Sequence, residues 1–188
     1  MQFIKQLPIG VSTFSRFAQE NLIYVDKTKT LFSIANKAAG KFFLSRPRRF
    51  GKSLLVSTLH SLFADGISAF SGLAIEKIWK DKTYQVVHLD FSKVRSGELN
   101  DFINDFNSKI LMALKASGIS FTGDYTSPAD LFDKAINECL TNSLVLLIDE
   151  YDSPLIQNLL EEDDNIEINQ EKNTFLMKSK KFSAIFTL

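Results

Sequence analysis

Two short stretches carry residue types suited to nucleotide chemistry. SRPRRFGKSLL (45–55) contains Gly51-Lys52-Ser53, and the apolar run LVLLID (144–149) ends in Asp149 followed by Glu150. A glycine lets backbone approach phosphate groups, a lysine reaches the outer phosphates as a point charge, and a serine hydroxyl ligates Mg²⁺. An aspartate ending a buried strand holds the metal's water shell, and a neighbouring glutamate can polarise an attacking water. The expected binding loop is therefore Arg46, Pro47, Arg48, Arg49, Phe50, Gly51, Lys52, Ser53 and Leu54. Ser53 and Asp149 are the expected Mg²⁺ residues, the latter partly through water, and Glu150 is the expected catalytic base. The two motifs lie 97 residues apart, from Lys52 to Asp149 (149 − 52).

The loop departs from G-x-x-x-x-G-K-[ST] at its first position, where Arg46 stands in place of glycine. Pro47 fixes one dihedral of the turn and biases Arg46 toward extended backbone, so rigidity supplies some of the shape glycine usually permits. Arg46, Arg48 and Arg49 have two readings: phosphate or partner contacts, or a solvated basic turn.

These residues need elements to position them. KFFL (41–44), VVHLDF (86–91) and LVLLID (144–149) read as buried strands. KSLLVSTLHSLFADG follows the loop as a helix with Leu55, Leu59, Leu62 and Phe63 on its apolar face and Gly66 at its end. ELNDFINDFNSKILMALKASG places Leu99, Phe102, Ile103, Phe106, Ile110, Leu111 and Leu114 on one side, with Gly118 as the stop. TSPADLFDKAINECL opens with Ser127 as N-cap and Pro128 at the first helical position, and turns Leu131, Phe132, Ala135, Ile136 and Cys139 inward. Asp26 caps a further helix through KTKTLFSIANKAA. Strands alternating with helices of this length predict an α/β fold with a mostly parallel sheet covered on both faces. Asp90 reads as an ordinary strand-end acid, with a place beside Asp149 as the alternative.

The bulk composition excludes several classes. With 188 residues the chain suits one domain, and 22 basic residues balance 22 acidic ones, so no global field draws nucleic acid or a membrane surface. One cysteine, Cys139, leaves neither a disulfide framework nor a cysteine metal cluster. No signal-peptide pattern and no run of ~18 apolar residues is present, so the cytoplasm is the expected compartment and no membrane partner is expected.

Three blocks, LPIGVSTFSRFAQENLIYVDKTKTL, FFLSRPRRFGKSLLVSTL and LVLLIDEYDSPL, with VVHLDFS as a weaker fourth, resemble the predicted AAA-ATPase-like family of bacterial proteins. The resemblance covers most of residues 7 to 160, and RPRRFGKS together with IDEYDSPL is specific to it. It accounts for the arginine-proline loop, which is what the family shows there. It implies a P-loop NTPase with a three-layer α/β/α arrangement, ATP and Mg²⁺ as cofactors, Lys52 and Ser53 at the Walker A positions, and Asp149 and Glu150 at the Walker B positions. For the YVDKT block, Tyr24 to Thr28, it suggests base contact as an alternative to plain helix capping by Asp26.

Relatives in this family continue with a sensor strand, further helices and often a C-terminal domain resembling PD-(D/E)XK nucleases. On that basis the organisation expected is a lead-in segment and helix (1–40), an ATPase core (41–160), and a polar loop with a truncated last element (161–188). The fold is expected to be incomplete at its C-terminus, and residues 175–188 fit a strand and a helix equally. A nucleic-acid or protein partner would act through the missing region, and an oligomer is compatible with the sequence. The expected function is Mg²⁺-dependent ATP hydrolysis; the alternative is a nucleotide-binding fragment or switch without turnover.

Overall fold

The computed structural model describes residues 5–37, 40–45, 47, 49–80, 83–92, 94, 99–119, 124, 126–137, 139, 144–151 and 153. In chain order the elements are α1 (Ser15–Gln19), α2 (Thr28–Ala35), α3 (Lys52–Asp65), two 3-10 turns (Ser68–Phe70 and Ala74–Lys77), β1 (Gln85–Asp90), α4 (Leu99–Ala116), α5 (Pro128–Asn137) and β2 (Leu144–Asp149). The architecture is mixed α/β.

Strands β1 and β2 pair in parallel from Gln85↔Leu144 to Asp90↔Asp149. Parallel pairing requires a long crossover, which α4 and α5 provide. Because side chains alternate across a strand, this register sorts them onto two faces. Val86, Val145 and Leu147 join a core with Val56, Leu59, Leu62 and Phe63 of α3. Val87 and Leu89 join a second core with Ile110 and Leu114 of α4 and Leu131 and Ala135 of α5. The strand pair is thus covered by helices on both sides. Leu147 is fully buried beneath α3, and Leu147→Ala is expected to cost about 2–5 kcal/mol through lost transfer energy and a residual cavity. Urea unfolding checks this.

The two crossover helices follow their sequence signals. Ser127 Oγ accepts the Asp130 N–H at 3.1 Å, as an N-cap should. Gly118 takes φ +74° beyond the end of α4, a left-handed position suited to glycine. Cys139 is half-buried and its thiol donates to the Ala135 carbonyl.

The expected strand at 41–44 is a correction. Within the described residues the sheet has two strands, and residues 40–45 belong to no regular element. A strand is defined by an edge that pairs with it. Residues 41–44 are held instead by ring contacts: Lys37 Nζ lies 5.8 Å over the Phe42 ring, and Phe43 meets Tyr151 edge-on at 5.2 Å. Residues 38 and 39, at the expected end of the second helix, and 154–188, including both readings of 175–188, lie outside the described residues.

The N-terminal segment is clamped to α3. Phe14 stacks on Phe70 at 4.5 Å and donates its backbone N–H to Ser57 Oγ at 2.9 Å. Tyr24 packs edge-on against Phe14 and Phe17. Asp26 accepts the Thr28 N–H at 2.8 Å and the Thr28 hydroxyl at 2.6 Å on one oxygen, and the Ala74 N–H at 2.7 Å on the other. The Thr28 hydroxyl in turn accepts the Ile75 N–H at 3.1 Å. YVDKT therefore ties the start of α2 to the second 3-10 turn: Lys27 holds the N-cap position, Asp26 stands one residue before it and bonds the first-turn Thr28 amide, and both its carboxylate oxygens are occupied by protein donors.

Burial pushes the Asp26 carboxyl upward, but the bonds from the Thr28 hydroxyl and the Ala74 and Thr28 amides outweigh it and leave the group below its ordinary value. Its contribution to stability is full above the unfolded value of about 3.9 and disappears as pH falls through the lowered folded value. Asp26→Ala is expected to cost about 1–2 kcal/mol at neutral pH, as loss of a cap does. Asp26→Asn should flatten the acid limb of stability below about pH 4, measured by urea midpoints.

Candidate functional site

The orientation of α3 decides what its N-terminus meets. Near one end of β1, Tyr84 donates its N–H to the Phe63 carbonyl at 2.7 Å and its ring meets that of Phe63. Further along the strand, His88 faces His60 with ring centroids 6.1 Å apart. Moving back along α3 therefore moves forward along β1, so the helix runs opposite to the strands and begins at their C-terminal ends. From His60 back to Ser53 is about 10 Å of helix, whereas from His88 to Asp90 is about 7 Å of strand, so α3 starts slightly beyond the strand ends.

Among the described residues the start of α3 has no side-chain cap: Gly51 sits at the N-cap with φ +76°, and the first turn holds no acidic residue. The first internal bond there runs from the Leu55 N–H to the Gly51 carbonyl at 3.0 Å. The amides of Lys52, Ser53 and Leu54 thus remain as donors at the positive end of a 14-residue helix, a setting that favours an anion. Lys52 and Ser53 are half-buried, while the Leu54 side chain packs against the α3-side core and offers its amide alone. Before them, Pro47 and Arg49 are exposed, Phe50 is 64% exposed, and Arg49 has φ +67°. Arg46 and Arg48 lie outside the described residues.

At the facing edge, Asp149 follows Val145 and Leu147 on the α3 side of β2 and is buried to 9% exposure. Its Oδ1 accepts the Glu150 N–H at 3.0 Å, and its carbonyl accepts the Phe91 N–H at 3.1 Å. Glu150 is half-buried with φ +52°, a left-handed backbone that costs a glutamate about 1 kcal/mol. Ser153 closes the turn by donating its N–H to the Glu150 carbonyl at 3.0 Å. The structure thus puts Gly51, Lys52 and Ser53 and the pair Asp149-Glu150 at one end of the fold, with Asp149 turned to the face that α3 covers.

Period-two counting also places His88 and Asp90 on this face, and the register sets Asp90 opposite Asp149, the alternative place expected for it. Asp90 is exposed and accepts the Ser92 N–H at 2.9 Å, the behaviour of a strand-end acid. His88 keeps much of its surface in water. Even so, desolvation of its ring and the neighbouring His60 imidazole hold its pKa below the ordinary histidine value, against the pull of Asp149 and Asp90.

The donor set suits a hydrated, phosphate-bridged ion better than an all-protein cage. Among the described residues no three His, Cys, Asp or Glu side chains gather to hold a metal. One hydroxyl and one carboxylate are what Mg²⁺ takes from protein when phosphates and water complete its octahedron. No helix of the described residues is long and apolar enough to cross a membrane.

A family model described as predicted AAA-ATPase, AAA-ATPase_like, matches residues 8–187. A protein of Azotobacter chroococcum mcd 1, described as an uncharacterized protein in the vnfD 5' region, is 32% identical over 162 residues, covering 82% of this chain and 30% of the relative. The chain therefore spans less than a third of that relative's length. No solved structure matches.

Proposed function

Because the chain belongs to the AAA-ATPase-like family, whose model spans residues 8–187, we propose that it is a Mg²⁺-dependent ATP-binding and hydrolysing module of the P-loop type. The observation that carries the reading is the start of α3, with Gly51-Lys52-Ser53 and no side-chain cap among the described residues, at the strand ends where Asp149 and Glu150 stand.

In this reading the phosphates lie against the amides of Lys52, Ser53 and Leu54, with the Lys52 ammonium on the outer phosphates. The Ser53 hydroxyl and the Asp149 carboxylate, the latter through water, would hold Mg²⁺, which supplies charge neutralisation for the transferred phosphoryl group. Glu150 accepts a proton from the attacking water. The Glu150 amide bond to Asp149 Oδ1 orients that carboxylate and fixes the two acids relative to each other.

Two measurements on the purified chain test the proposal: titration with a fluorescent ATP analogue, and phosphate release with Mg²⁺ and with EDTA. Mg²⁺-dependent release supports it. Binding without release leaves a nucleotide switch, and absence of binding removes the reading. Coupling of hydrolysis to nucleic acid, protein or self-association would depend on regions such as those the longer relative possesses.

A further inference from the structure

The turn that follows β2 breaks the alternation of the strand. In continued extended backbone Tyr151 would share the face of Asp149. Instead it packs against the core on the α4 side, together with Leu146 and Ile148. The left-handed conformation of Glu150 makes this switch possible. Such a conformation persists in a non-glycine residue only where its surroundings impose it. On its other side the Tyr151 ring meets Phe43 edge-on, with centroids 5.2 Å apart and planes at 65°. Phe43 is 54% exposed and belongs to the limb that leads into the candidate phosphate loop.

We propose that Tyr151 is a positioning residue. Seated against the α4-side core and edge-on to Phe43, it locks Glu150 in its left-handed conformation and ties the limb before the loop to the acid end of β2. The catalytic consequence rests on the ATPase reading, whereas the tie itself does not. Loss of the ring would free both Glu150 and the limb, so the distance between base and phosphates would no longer be set.

The test compares Tyr151→Ala, Tyr151→Phe, Phe43→Ala and the double alanine variant by two readouts. The first is hydrogen exchange without nucleotide. Tyr151→Ala should speed exchange about fivefold or more in both the 40–51 and 150–153 segments, leaving α4 unchanged. The second is steady-state hydrolysis, where kcat should fall about tenfold with KM within about threefold. Tyr151→Phe, which keeps the ring, should leave both readouts closer to the parent than Tyr151→Ala does, and Phe43→Ala added to Tyr151→Ala should change neither further.

Phe43→Ala removes a largely exposed ring, and Tyr151→Phe retains the aromatic ring, so the comparison survives even if Tyr151→Ala does not fold. Unmoved exchange in both segments, or independent and additive effects of the two alanine variants, would overturn the proposal. If the exchange pattern holds but the parent hydrolyses nothing, the tie stands and the ATPase reading falls. If the parent hydrolyses ATP and exchange is unmoved by these changes, the reverse holds.

Discussion

Replacing Lys52 by alanine is expected to weaken binding of a fluorescent ATP analogue by about 10- to 100-fold, the range for one charge-assisted contact to phosphate. The residue opens α3 and is half-buried, and no ion pair engages it among the described residues. Its removal breaks no internal salt bridge, so stability should stay within about 0.5 kcal/mol of the parent, as for a surface substitution. A large loss of affinity with an unchanged urea midpoint therefore isolates the ligand contact. Lys52→Arg should recover only part of the affinity, because a planar fork does not reproduce a compact ammonium charge. Affinity unchanged in Lys52→Ala would remove the loop from the nucleotide site.

Glu150→Gln should leave analogue binding within about threefold and lower phosphate release by about 10²- to 10⁴-fold, the range for general-base catalysis. Glutamine is nearly isosteric and accepts the same left-handed backbone at the same cost, so the variant isolates the carboxylate. Glu150→Gly removes the carboxylate and the unfavourable φ of +52° together. Turnover should again be lost. The relief of about 1 kcal/mol in backbone strain is set against the entropy a glycine adds to the unfolded chain, so stability should match or exceed the parent. A Glu150→Gln protein with parental turnover would refute the assignment of the base.

Much of this site was legible from residue type and spacing. Lys52, Ser53, Asp149 and Glu150 stand at the boundaries between apolar runs and polar residues, and such boundaries mark where strands end and helices begin. The helices α4 and α5 were legible because each is long enough for a 3.6-residue period and has a recognisable start or stop. Even there Ile136, expected inward, is 47% exposed, while Leu131 and Ala135 are buried and Phe132 packs against the same core.

Other features depend on contacts between distant residues. Four apolar residues at 41–44 could not reveal whether an edge would pair with them. The left-handed Arg49 and Glu150 follow from tertiary packing, for which neither residue type gives a signal. The five-residue α1 and the two 3-10 turns are too short to display a period. YVDKT reads as a helix cap, with base contact only as the resemblance's alternative, and the Ala74 and Ile75 amides, some 48 and 47 residues away, reveal what it holds.

The register of β1 on β2 carries a consequence for how this chain can change length. Asp149 faces α3 because it lies two and four positions after Leu147 and Val145, an even offset in each case. One residue inserted within β2 would invert that parity and carry the acid to the opposite side of the sheet, while exchanging the apolar sets of the two cores. Two residues would restore the sign. The strand therefore acts as a reading frame in space, in which single insertions are penalised like frameshifts. The connections between elements have no such frame, and length can vary there without moving the acid from its face.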